Sequence, residues 1–249
     1  LLLAAVLYSF QLYADFSGYS DIVLGMGQVL GLSLPENFRR PFLAATVKEL
    51  WARWHMSLSR WLKDYVYIPL GGSRCSALRR DANLVATFLV SGLWHGAGLT
   101  YLLWGFLHGM LQALENHLPW RRIITKGWAR LVGIAGTFGI FVFTFTIFRA
   151  SSLHNAAQMF GGMLHNGGHD VFSNYWELGL ANRQEQVLLF AGVAILIAVD
   201  LLQERGVPLL DKLQAAPRPV RWLVYEGMLF AFLFMGQFLG GGGFLYARY

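Results

Sequence analysis

Apolar stretches alternate with short polar ones along most of the chain. Residues 1–13 are apolar but fall short of the roughly 20 residues that a membrane span needs. The polar cluster Asp15-Phe16-Ser17-Gly18-Tyr19-Ser20-Asp21 follows, and then a glycine-rich apolar stretch over residues 22–34. Carboxylates beside such a stretch are costly against lipid, so the pattern predicts a broken or re-entrant helix that turns inside protein. Further apolar runs cover residues 84–98, 100–116, 131–148, 187–202 and 222–239. Their lengths of 15 to 18 residues imply tilt or partial spanning.

Residues 35–83 carry a different pattern. Thr46-Val47-Lys48-Glu49 fits a capping box, with a hydroxyl and a carboxylate placed to satisfy the first free amides of a helix. Val47, Leu50, Trp51, Trp54, Leu58, Trp61, Leu62 and Tyr65 then recur at helical spacing. Lys48, Glu49, Arg53, Arg60, Lys63 and Asp64 occupy the other face. This predicts one amphipathic helix that lies in the membrane interface or against the protein's membrane core. It should stop near Tyr67, because Pro69 and Gly71-Gly72 follow. The expected architecture is all-α: a polytopic transmembrane bundle with re-entrant segments and this interfacial helix.

Composition agrees with that class. Of 249 residues, 55% are apolar and 14% charged, against about 25% charged in soluble domains. A disordered chain is excluded, and an ordinary cytosolic domain does not fit. The single cysteine, Cys75, excludes an intramolecular disulfide framework and a cysteine-cluster metal site. The formal net charge is +6. Because the basic residues sit between apolar runs, topology and anionic headgroups account for them, and no nucleic-acid partner is expected.

The charge distribution also orients the chain. Residues 35–83 hold nine Lys/Arg against four acids, and residues 119–130 hold four basic residues and no acid. Residues 203–221 are again basic, whereas 149–185 are nearly balanced. The positive-inside rule puts the three basic segments in the cytoplasm and 149–185 outside. Residues 84–116 then form a hairpin that enters from and returns to the cytoplasm, bending near 96–100. The chain begins Leu1-Leu2-Leu3, which reads as a membrane helix cut in half rather than a signal peptide. The expectation is therefore the C-terminal part of one longer membrane domain.

Seven histidines are present. His95 stands in Ser91-Gly92-Leu93-Trp94-His95-Gly96-Ala97, at the hairpin's bend. An ionisable side chain at membrane depth is a functional candidate by default. A neutral imidazole there could take a proton from a hydroxyl, and the glycines permit close approach of a ligand. A purely structural histidine is the alternative. His55 falls on the apolar side of the amphipathic pattern, where a boundary histidine without function is common. His108, on the returning arm, either helps line the same cavity or simply packs.

Asp15, Ser17, Tyr19, Ser20 and Asp21 are either a wall of that cavity or a structural cluster in which Asp15 and Ser17 cap a helix and Asp21 pairs with an arginine. Trp54 and Trp94 are candidates to wall a water-poor passage, and Asn83 joins the candidate substrate-binding residues. His165 and His169 are four apart, but two glycines lie between them, no Glu fills the second position of a metalloprotease motif and no cysteine is near, so no metal site is expected. Phosphate-loop and GxSxG signatures are absent from the sequence.

Four stretches, in order, resemble the membrane-bound O-acyltransferase family, in its bacterial alginate and peptidoglycan O-acetyltransferase branch. They are Asp15-Phe16-Ser17-Gly18-Tyr19-Ser20-Asp21-Ile22, Asn37-Phe38-Arg39-Arg40-Pro41-Phe42, the run from Trp51-Ala52-Arg53-Trp54-His55 to Pro69-Leu70-Gly71-Gly72, and Ser91-Gly92-Leu93-Trp94-His95-Gly96-Ala97. The ending Phe244-Leu245-Tyr246-Ala247-Arg248-Tyr249 follows the branch loosely. On this resemblance residues 15–116 hold the catalytic region and 117–249 supply further transmembrane helices.

The resemblance implies that His95 is the principal catalytic histidine and His55 a second functional one. It implies an acyl thioester donor such as acetyl-CoA, taken from the cytosolic side, and no bound cofactor. It also implies delivery to a secreted polysaccharide, often through an extracytoplasmic acyltransferase partner, from a multi-pass position in the bacterial inner membrane. A transporter is the rival class, since broken helices and buried polar groups also mark transporters. A non-catalytic scaffold for an extracytoplasmic enzyme is another.

Overall fold

In the computed structural model, residues 1–119, 124, 127–165 and 183–235 are described. His169, Gly240 to Gly243 and the aromatic C-terminus lie outside them, as do residues 166–182 of the segment expected outside the membrane. Every regular element among the described residues is helical. They form two compact units, Leu1–Gln186 and Val187–Arg248.

Helix α1, Leu2–Val29, is continuous through the polar cluster. The expected break near Asp15 is therefore absent. Ala5, Ser9, Leu12, Phe16 and Ser20 are buried at spacings of three and four, so one stripe faces the protein while Asp15 and Asp21 stand off it. Tyr13 and Phe16, on the buried side, meet Phe38 at ring-centroid distances of 5.9 and 4.8 Å.

The amphipathic segment begins as expected and then departs from the single helix its periodicity suggests. Thr46 Oγ1 accepts from the Glu49 amide at 3.1 Å, and Glu49 Oε2 accepts from the Ala45 amide at 2.8 Å. Helix α2, Val47–Trp51, starts at this cap. It ends within two turns, and α3, Met56–Leu62, begins after His55, which is left-handed at φ 43° and ψ 54°. A π-helical turn, Lys63–Tyr67, follows. The break is long-range in origin. The Met56 amide donates to the carbonyl of Asn37 at 3.0 Å, and the Arg39 amide donates to the carbonyl of Arg53 at 2.9 Å.

Helices α4, Ala77–His95, and α5, Leu99–His117, form the expected hairpin around Gly96-Ala97-Gly98. Their approach depends on glycine: a Cβ on Gly105 would collide with the carbonyl of Phe88, and one on Gly92 with that of Tyr101. Helix α6, Gly127–Arg149, packs against α1 and α5. It contributes Phe141, Phe145 and Phe148 to an aromatic core. Helix α7, Leu153–His165, packs on α6.

The second unit holds the remainder of α8, Arg183–Glu204, with α9, Leu209–Ala215, and α10, Arg218–Met235. Two described helices are long and apolar enough to cross a membrane, Gly127–Arg149 and Gln186–Glu204. Apolar side chains such as Ile195, Trp222 and Phe232 are exposed along the second unit, as suits a lipid-facing surface.

Candidate active site

The break between α2 and α3 creates a position for His55. A left-handed residue other than glycine costs about 1–2 kcal/mol and persists only where its surroundings enforce it. Asn37 supplies that enforcement. Its Oδ1 accepts from the amide and hydroxyl of Ser57 at 3.1 and 2.8 Å, and its Nδ2 donates to Ser20 Oγ at 3.4 Å. The Ser57 amide thus identifies Oδ1 as the oxygen, and His55 Nδ1 lies 3.3 Å from it. The neutral ring therefore carries its proton on Nδ1 and has Nε2 as its basic nitrogen. Burial, and secondarily the nearness of His95, pushes the His55 imidazole down to about 4.

His95 ends α4 and is half-buried. The following Gly96 takes φ 149°, so the chain turns directly after the imidazole. Its ring meets Trp104 of α5 and Phe148 of α6 edge-on, at 5.5 and 5.1 Å between centroids. Trp104 in turn meets His108 at 5.0 Å. His108 is wholly buried and its Nδ1 accepts from the Trp51 indole at 3.2 Å. His108 Nε2 and Trp104 Nε1 are buried without a hydrogen-bond partner among the described residues.

Trp54 is 3% exposed and sits among Phe38, Phe141 and Phe145, at 5.0, 5.0 and 5.8 Å. Phe16 meets the His55 ring at 4.8 Å. One aromatic cluster therefore joins Trp54, His55, His95 and His108, which come from well-separated parts of the sequence.

The other candidates lie elsewhere. Asn83 is buried and donates to the carbonyl of Gly72 at 3.2 Å, bracing the glycine turn on α4. Trp94 is 65% exposed beside Trp61, and Tyr19 is 48% exposed. Ser17 is half-buried on α1. Asp15 is half-buried, with an Oδ2 that has no hydrogen-bond partner among the described residues. His165 is exposed at the end of α7. No group of three or more His, Cys, Asp or Glu able to hold a metal occurs among the described residues.

Sequence reasoning passed over the residues that seat α2. Glu115 of α5 accepts from the amides of Val47 and Lys48 at 2.6 and 2.9 Å. It was visible as the one carboxylate in the apolar run 100–116. Glu49 pairs with Arg53 at 2.6 Å and with Arg130 of α6 at 3.0 Å. Burial would raise the Glu49 carboxyl, but the Ala45 amide and the two guanidiniums outweigh it and hold the group below the usual range.

The family model for the membrane-bound O-acyltransferases matches residues 1–155. Over 187 residues the chain is 43% identical to a probable alginate O-acetylase of Pseudomonas putida, covering 74% of this chain and 36% of that protein. It is 42% identical to a peptidoglycan O-acetyltransferase of Helicobacter pylori over 65% of this chain and 31% of the relative. A teichoic acid D-alanyltransferase of Bacillus subtilis is 31% identical over 59% of this chain and 40% of its own length. The matched stretches span 31% to 40% of these relatives' lengths.

Proposed function

The chain belongs to the membrane-bound O-acyltransferase family, and from that premise we propose that it moves an acyl group, an acetyl group first of all, from a cytosolic thioester to a hydroxyl of an extracytoplasmic polysaccharide. His95 is the general base. Its imidazole takes the proton of the acceptor hydroxyl as the oxygen attacks the thioester carbonyl. The C–O bond forms, the C–S bond breaks, and the proton returns to the departing thiolate. A positioned base contributes about 10²- to 10⁴-fold in rate. His55, with Nε2 as its basic nitrogen, positions a substrate beside it.

The aromatic walls exclude water that would hydrolyse the thioester. Acetyl-CoA or another acyl thioester is the donor, and an extracytoplasmic acyltransferase can receive the acyl group on the far side. The protein works as a multi-pass protein of the bacterial inner membrane. The observation that supports this reading most is the convergence of His55 and His95 on one aromatic cluster from separate elements.

The test is acyl transfer in proteoliposomes with His95→Ala. Loss of covalent product with normal membrane insertion supports the reading. Full activity removes His95 from the mechanism, and unmodified substrate crossing the bilayer favours a carrier.

A further inference from the structure

Two buried donors on α5 lie in the aromatic cluster that contains His95. Trp104 is 1% exposed and His108 is fully buried. Neither Trp104 Nε1 nor His108 Nε2 has a hydrogen-bond partner among the described residues. The tautomer of His108 is set by its other nitrogen. The Trp51 indole donates to Nδ1 at 3.2 Å, so in the neutral ring the proton sits on Nε2. Both unpaired atoms are therefore N–H donors. A buried donor left unpaired costs stability, and nearly all buried polar groups in folded proteins are paired. A phenylalanine at position 104 would supply an aromatic ring without that cost.

Positions 104 and 108 are one turn apart and share a face of α5. Their rings lie 5.0 Å apart between centroids, and the Trp104 ring also meets His95 at 5.5 Å. Phe145 and Phe148 of α6 close on Trp104 at 5.6 and 5.3 Å. Two N–H groups in apolar surroundings, one of them on a ring against the base, suit a single oxygen that accepts from both. Acyl transfer produces such an oxygen. The acceptor oxygen bonds to the thioester carbon, its proton passes to His95, and the carbonyl π pair moves onto the carbonyl oxygen. The carbonyl then re-forms, the C–S bond breaks, and His95 returns the proton to the thiolate. Preorganised donors stabilise the charge that develops in between, and most strongly where water is excluded.

We infer that Trp104 Nε1 and His108 Nε2 form the oxyanion hole of the reaction, both donating to the thioester carbonyl oxygen while His95 takes the hydroxyl proton. The inference rests on the acyl-transfer reading and adds two catalytic residues to it. Trp51 is the positioning residue that keeps the His108 proton on Nε2.

The experiment combines kinetics with a vibrational probe. Transfer from acetyl-CoA in proteoliposomes is compared for the parent and Trp104→Phe. The variant should lose about 10²- to 10³-fold in kcat. Its KM for the thioester should stay within about threefold, because the lost bond strengthens only in the transition state. His108→Gln, which presents an N–H near the position of Nε2, should lose less than His108→Leu. The probe is the ketone analogue of acetyl-CoA, with a methylene in place of the thioester sulfur and ¹³C at the carbonyl. Bound to the parent, its C=O stretch should lie below its value in water, and Trp104→Phe should move it back up. A merely structural tryptophan would leave that frequency unchanged.

An unshifted stretch in the parent overturns the inference, and this measurement needs no variant to fold. So does a stretch that Trp104→Phe leaves in place, a kcat within about threefold of the parent, or a fall in rate matched by an equal fall in folded protein. N–H groups engaged with the faces of neighbouring rings would give those results. Absence of product from the parent protein counts against the acyl-transfer reading itself, whereas normal transfer by Trp104→Phe counts against the oxyanion hole alone.

Discussion

The Trp51 indole donates to Nδ1 of His108 at 3.2 Å, joining α2 to the middle of α5 across 57 positions of sequence. Both rings are buried, and the bond leaves the His108 proton on Nε2. His108→Leu should strand the indole N–H and destabilise the protein by about 1–3 kcal/mol. Adding Trp51→Phe should recover part of that loss, because an apolar pair leaves nothing unpaired. Denaturant or thermal unfolding of the solubilised variants reads both numbers. Strict additivity of the two substitutions would mean that the bond contributes nothing.

Gly105 and Gly139 make a matched pair. A Cβ on Gly105 has no room beside the carbonyl of Phe88, whereas one on Gly139 meets nothing within 4 Å. Gly105→Ala should therefore force the hairpin apart at about 1–3 kcal/mol. Gly139→Ala should be neutral or stabilising by up to about 1 kcal/mol, since alanine favours the helix. Melting temperatures of the two variants should move apart, and a shared shift would contradict the packing described.

Asn37 holds Nδ1 of His55 together with the amide and hydroxyl of Ser57. Asn37→Ala should reduce acyl transfer by about 10²-fold, the lower end of what a positioned acid–base group supplies. The loss should appear as a change in the pH profile as well as in rate, because the ring is then free to take either tautomer. An unaltered profile with a uniform fall in folded protein would make Asn37 purely structural.

The pH dependence of stability follows from His55. Its pKa falls from 6.5 to about 4 on folding, so the unfolded chain binds more protons between those values. The stabilisation is complete above 6.5 and is lost as pH falls toward 4. Comparing the acid limb of the melting profile with that of His55→Gln isolates the contribution. The variant should lose less stability than the parent between pH 6.5 and 4. Catalysis by neutral His55 should likewise show no break near 6.5.

The sequence by itself determined the helical class, the membrane composition, the cap at Thr46 and the hairpin that turns at Gly96. Periodicity, capping, backbone freedom, composition and the distribution of charge along the chain carry these, and none of them needs a contact between distant segments. The same local logic misread α1, because Asp15 and Asp21 are polar without breaking a helix whose buried stripe passes beside them. It also misread the amphipathic segment as one helix. The break at His55 is held by Asn37 from 18 positions away, and the seat of α2 by Glu115 from 68. Only the tertiary structure decided those features, and with them the placing of His55 and His95 on one aromatic cluster. Hydrogen bonds and ring contacts between distant segments leave no period in the chain; they exist only once burial has brought the segments together.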